Sequence, residues 1–192
     1  MNGTLAGLVL CGGRSERMGT DKALLEIDGT PLIRLVASRL AAVADPVFLA
    51  PGEPGRLGPL GYREIADERG GSGPLGGIVA GLAASPHALM AVVAVDMPFA
   101  SPDVFALLAG LHRGEQAVLP VGDRGLEPLH AVYSVEALGP LRDGLAKGRL
   151  ALREAVSALW IRIVPAAEWR AADPTGRFAV NVNTAEDLAR LR

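Results

Sequence analysis

The chain has 192 residues and a net charge of −2; 49% of it is apolar but only 4% is aromatic. That length supports one domain, residues 1–192, whose core must be built from Ala, Val, Leu and Ile rather than from rings. The charge balance excludes a general nucleic-acid binder, and the single cysteine, Cys11, excludes an internal disulfide. No basic-then-apolar leader is legible, and the longest plainly apolar run, Ala88 to Val95, is too short to cross a bilayer as a helix. The expectation is a cytoplasmic protein with neither membrane nor nucleic-acid partners.

Short apolar runs alternate with helical patterns through the first two thirds, which predicts a mostly parallel sheet covered by helices. Ala6 to Leu10 is the first strand. Asp28-Gly29 is a turn, and Thr30 caps a helix that has Pro31 at its first position and runs to about Val43. Val47 to Ala50 is the second strand, stretch 51–61 a Gly/Pro loop, and Tyr62 to Ala66 a short third strand. A glycine-rich loop then opens a helix near Pro74 that ends at Ala84. Leu89 to Val95 is a continuous apolar run of the doubly buried kind, and it terminates in Asp96-Met97-Pro98.

Ser101-Pro102 begins a capped helix through Leu111. Ala117 to Val121 and Leu129 to Tyr133 are strands that can pair antiparallel, which would make the sheet mixed. Val135 to Leu159 is helical with breaks at Gly139-Pro140 and Gly148, and Trp160 to Val164 returns to strand. Phe178 to Asn183 is strand-like, and Thr184 to Asp187 caps a last helix.

The chemistry concentrates where the first strand breaks into Cys11-Gly12-Gly13, followed by Arg14, Ser15, Arg17 and Lys22. Glycines let backbone N–H groups close on an anion, and the cations neutralise it. The stretch fits neither the Gly-x-x-x-x-Gly-Lys-Ser/Thr loop nor the Gly-x-Gly-x-x-Gly fingerprint, so it is a phosphate loop of another kind. Asp96 follows the strongest strand, at the carboxyl edge where open α/β sheets bind ligands.

The run Leu10-Cys11-Gly12-Gly13-Arg14-Ser15-Glu16-Arg17-Met18-Gly19-Thr20-Asp21-Lys22 resembles the signature loop of the molybdenum cofactor guanylyltransferases, within the wider nucleotidyltransferases. Val95-Asp96-Met97-Pro98-Phe99 and Asn181-Val182-Asn183-Thr184 agree with it. Weaker matches lie at Gly73 to Gly77 and Glu127 to Tyr133. The resemblance covers nearly the whole chain.

It implies a three-layer, Rossmann-like fold of the nucleotide-diphospho-sugar-transferase type, and transfer of GMP from GTP to the phosphate of molybdopterin. Arg17, Lys22 and Asp96 are the implied catalytic residues. Leu10, Cys11, Gly12, Gly13, Arg14, Ser15, Lys22, Asp67, Gly76 and Asp96 are implied at the nucleotide, with Asp67 an acceptor for guanine. Asp96 is the implied ligand for Mg²⁺, and Asn181 and Asn183 are implied at the metal or the acceptor. Glu127 to Tyr133 is expected to line the pterin side. Cys11 stands where the family commonly has Ala and is read as packing, not as a nucleophile. Ala50-Pro51-Gly52 replaces a segment where relatives often carry an Asn near the base, so a cytidylyltransferase or another small-molecule phosphate transferase stays open. A non-catalytic nucleotide-binding or cofactor-chaperone protein is the rival from another class. Transient contact with molybdenum-insertion proteins or molybdoenzyme precursors is a further expectation.

Overall fold

All six residues of the first strand, β1 (Leu5–Leu10), are buried, so it must lie mid-sheet with both faces covered. The computed structural model describes residues 5–12, 21–67, 70–182 and 187. β1 pairs in parallel with β4 (Val47–Ala50) on one side and β6 (Leu89–Ala94) on the other. β5 (Arg63–Glu64) extends the β4 side. Beyond β6 come β9 (His130–Ser134), β7 (Ala117–Gly122) and β10 (Ile161–Val164), and β8 (Gly125–Leu126) pairs with β7. The eight-stranded sheet thus reads β10-β7-β9-β6-β1-β4-β5 along its path.

β9 runs antiparallel to both of its neighbours, β6 and β7, which confirms the mixed sheet. Its reversal has a functional effect. The parallel strands deliver their carboxyl ends to one edge, whereas β9 delivers to that edge the residues that precede it. Ala94 N–H accordingly donates to Leu129 C=O at 3.0 Å, and Val95 N–H to Leu10 C=O at 3.0 Å.

Helices cover both faces. Leu5 and Val9 face a core shared with α1 (Leu32–Ala41), α3 (Pro102–Leu111) and Trp169 of α6 (Ala166–Trp169). Ala6, Leu8 and Leu10 face the other core, with α2 (Gly73–Ala84), α4 (Leu138–Ala146) and α5 (Leu152–Ser157). This is the three-layer arrangement, with alternate residues of one strand feeding two cores. α2 lies unusually close to the sheet because glycine removes the side chains between them. A Cβ on Gly77 would stand 2.6 Å from Leu10 Cδ2, and one on Gly81 2.7 Å from Leu8 Cδ2.

Three local expectations are corrected. Thr30-Pro31 is not a cap: it forms β3, which pairs with β2 (Glu26–Ile27) across the Asp28-Gly29 turn. α1 therefore starts at Leu32, whose N–H is satisfied by Leu25 C=O at 2.8 Å. Gly139-Pro140 does not interrupt a helix; it lies in the first turn of α4, where proline forfeits no intrahelical hydrogen bond. Phe178 to Val182 is not a strand. Gly176 takes φ 67° and starts a 3-10 turn, Arg177–Ala179. The Asp173 carboxylate locks that turn by accepting from Thr175 N–H and Phe178 N–H. The capping segment 184–186 expected before the last helix lies outside the described residues, and Asp187 is helical. Among the described residues no helix is long and apolar enough to cross a membrane.

Candidate active site

The chain leaves β1 toward β4 and β5, then returns through α2 to place β6 on the opposite side of β1. That reversal of strand order opens a crevice at the carboxyl edge, the place where open α/β sheets bind ligands. A cleft of about 500 Å³ occupies it. Leu10, Cys11 and Gly12 form one wall, Ala94 to Asp96 another, and Asp67 with the first turn of α2 the third.

Two charged groups face each other across this crevice. Asp96 sits in the turn after β6, where Met97 N–H donates to Ala94 C=O at 3.1 Å. Lys22 opens a short 3-10 turn, Lys22–Leu24, capped by the Asp21 carboxylate, which accepts from Ala23 N–H at 3.0 Å. Lys22 Nζ lies 3.1 Å from Asp96 Oδ2, with both side chains about four-fifths buried. The pair joins the loop that follows β1 to the end of β6.

Sequence reasoning passed over Arg56, which lies in the Gly/Pro loop. Its guanidinium donates to Cys11 C=O and forms an ion pair with Asp21. Its Nε also donates to Pro51 C=O at 3.3 Å. One side chain thus braces both stems of the first glycine loop. An arginine within a turn-rich segment offers no pattern by which a sequence could reveal that role.

Asp67 lines the cleft, and partial burial lifts its carboxyl above the ordinary range. It rests against α2, where a Cβ on Gly76 would stand 3.3 Å from Asp67 Oδ2. Gly76 therefore stands behind Asp67 and gives it room, while Gly73 and Gly77 of the same helix line the cleft. Gly13, Arg14, Ser15, Arg17 and Asn183 lie outside the described residues.

A second cleft of about 380 Å³ adjoins the first and shares Pro74 and Leu129 with it. Asn181 lines it together with Glu127, Pro128 and Leu129. The segment that carries Asn181 reaches the first cleft too, because Val182 N–H donates to Asp96 C=O at 2.7 Å. Tyr133, at the other end of the expected pterin segment, is fully buried with its hydroxyl donated to Pro128 C=O at 2.8 Å.

Cys11 and His130 are structural. Burial pushes the Cys11 thiol up to about 12, which suits packing and not nucleophilic attack. Burial holds His130 down to about 3; its Nε2 accepts from Ser101 N–H at 3.1 Å, and its ring stacks on Phe105 at 3.8 Å. Among the described residues no three metal-ligating side chains converge, and Asp96 shares the lining of the cleft with the carboxylates of Asp21 and Asp67.

A switch-point crevice that opposes a lysine to a carboxylate, on a mostly parallel mixed sheet, defines an α/β nucleotidyltransferase type of protein. The model of the MobA-like NTP transferase domain matches residues 7–160, and the chain belongs to that family. A probable molybdenum cofactor guanylyltransferase of Chloroflexus aggregans is 37% identical over 191 residues, covering 96% of this chain and 91% of the relative. The molybdenum cofactor guanylyltransferase of Desulfosudis oleivorans is 31% identical over 190 residues, covering 97% and 93%. The molybdopterin-guanine dinucleotide biosynthesis protein A of Archaeoglobus fulgidus superposes with a TM-score of 0.85 at 27% identity, over 96% of this chain and 95% of that one. The Thermus thermophilus 2-C-methyl-D-erythritol 4-phosphate cytidylyltransferase shares the fold, with a TM-score of 0.70 at 18% identity over 97% of this chain and 96% of that one.

Proposed function

We propose that this protein transfers GMP from GTP to the phosphate of molybdopterin, forming the guanine dinucleotide cofactor and releasing pyrophosphate. The Lys22–Asp96 pair, set at the switch point where two clefts adjoin, carries the reading. A triphosphate in the first cleft meets the Lys22 ammonium. An acceptor phosphate in the second cleft approaches the α-phosphorus from the Asn181 side. Its oxygen forms the new P–O bond while the bond to the pyrophosphate oxygen breaks, and the leaving group departs with the electron pair. The attacking phosphate is already ionised at neutral pH, so no general base is needed. Charge neutralisation and in-line positioning supply the rate.

Asp96 is the residue that would hold Mg²⁺. A single, partly exposed carboxylate fits that ion, which keeps waters and binds through substrate phosphates rather than a full protein cage. When bound, the ion neutralises charge on the transferred phosphate. Guanine offers N1–H and exocyclic amino donors, and Asp67 is the acceptor in the cleft wall that suits them. We place the reaction in the cytoplasm, whose reducing conditions suit a chain with a single cysteine, and infer hand-over of the product to molybdenum-insertion proteins or molybdoenzyme precursors.

The test is a panel of the four nucleoside triphosphates, each offered with molybdopterin, with pyrophosphate and dinucleotide both measured. GTP is expected to be preferred over the other three. A preference for CTP would overturn the guanylyl assignment.

A further inference from the structure

Glu127 is only 9% exposed, although it is an acid in a segment that leads into a strand. Its backbone is fixed on both sides: its N–H donates to Pro120 C=O at 3.0 Å, and its C=O accepts from His130 N–H at 3.1 Å. The side chain is folded over β7 at Gly122, where a Cβ would stand 2.8 Å from Oε1. None of the described residues donates a hydrogen bond to the carboxylate; Arg153 and Arg124 act on it only at longer range. The carboxylate oxygens are not among the fully enclosed unpaired atoms, so they form an acceptor open to an incoming donor. This one lines the second cleft, whose other walls include the apolar side chains of Pro74, Met97, Leu126 and Leu129.

A cleft walled largely by apolar side chains, with Arg153 and Asn181 beside one carboxylate, suits a heterocycle that presents paired N–H donors. We propose that Glu127 binds the 2-amino, N3–H edge of the acceptor's pterin ring and so selects a pterin in the second cleft. The inference rests on the acceptor named under the proposed function. Guanine and pterin share this 2-amino-4-oxo edge. The dinucleotide therefore carries the same donor pair at each end, and the protein presents an acid to each: Asp67 in one cleft and Glu127 in the other. A carboxylate matches two adjacent N–H donors with two oxygens, a strong charge-assisted geometry.

Two measurements test it. The first follows binding of 6-hydroxymethylpterin, and of its 2-oxo analogue in which a carbonyl replaces the amino group, by fluorescence titration. The wild-type protein is expected to favour the pterin by about tenfold or more, and Glu127→Gln to remove most of that preference. The second is transfer kinetics. Glu127→Gln is expected to raise KM for molybdopterin by about tenfold while KM for GTP stays within about twofold. Equal binding of the two probes by the wild-type protein overturns the proposal and requires no variant to fold. An unchanged molybdopterin KM in a folded Glu127→Gln also overturns it. A wild-type protein that prefers the pterin but forms no dinucleotide would refute the transferase reading and leave the Glu127 assignment standing.

Discussion

The backbone N–H of Val182 donates to the carbonyl oxygen of Asp96 at 2.7 Å, so the segment bearing Asn181 is tied to the turn that presents Lys22's ionic partner. The acceptor side and the phosphate side therefore share one backbone junction. A disturbance of either is transmitted over a single hydrogen bond, not through the depth of the core.

Removing either charge of the central pair should abolish most of the chemistry. Lys22→Ala and Asp96→Asn are each expected to lower the rate of pyrophosphate release by about a hundredfold or more. Both side chains are about four-fifths buried, so removing one charge leaves the other largely buried and unpaired, and a lowered thermal midpoint should accompany the loss of rate. Near-normal turnover in both variants would sink the mechanism. Chelation of divalent metal should produce a comparable loss, restored by added Mg²⁺.

The glycines of α2 predict a contrast in stability. Gly77→Ala places a methyl group 2.6 Å from Leu10 Cδ2 and 3.2 Å from Ala50 Cβ, and overpacking costs about 1–3 kcal/mol. Gly144→Ala in α4 meets nothing within 4 Å, and should stabilise by about 0.5–1 kcal/mol through helix propensity. Urea denaturation of the two variants should therefore shift in opposite directions. Gly77→Ala should also raise KM for GTP, because Leu10 and Gly77 both line the cleft.

Acid should destabilise the protein through His130. Burial holds its folded pKa down to about 3, against 6.5 for the free side chain. Between those values the unfolded chain binds the extra proton. The contribution is thus fully present above pH 6.5 and is lost as pH falls toward 3, with a slope of up to about 1.4 kcal/mol per pH unit. The ring resonances of His130 should not titrate between pH 8 and about 5 in the native protein. Titration near 6.5 would contradict the buried, Ser101-bonded neutral ring.

Cys11 gives the alkaline counterpart. Its thiol is raised by burial to about 12 from 9.0, so this contribution is intact below pH 9.0 and is lost as pH rises toward 12. A disulfide reagent at pH 8 should label it only after denaturant is added. Rapid labelling of the native protein would show that the loop stem is open.

What the sequence disclosed depended on whether a residue's role was set locally. β4 and the Ser101 cap of α3 were legible because a short apolar run and a serine before Pro102 act within a few residues. Asp96 was legible because it ends the strongest apolar run. Phe178 misled because its alternation with polar neighbours imitates a strand. The ring is in fact fixed by distant partners, His130 at 4.7 Å and Trp169 at 4.9 Å between centroids. Arg56 carried no pattern at all, and Glu127 was marked only as the first residue of a weakly matching segment. Their roles come from what the sheet places beside them, Cys11 and Asp21 for the first and Gly122 for the second.

The central place of β1 bears on how the chain is made. Its β6 partner, Leu89–Ala94, is synthesised long after Leu5–Leu10 has left the decoding site. At ordinary translation rates the interval is roughly 4 to 17 seconds. Throughout it the run LAGLVL has at least one unpaired edge, although α1 and α2, which cover its two faces, are both made before β6. Long-range parallel pairing is also slow to close once both strands exist. The nascent chain is therefore most prone to misassociation before Ala94 emerges. Until then β1 offers an open strand edge on which another chain can pair.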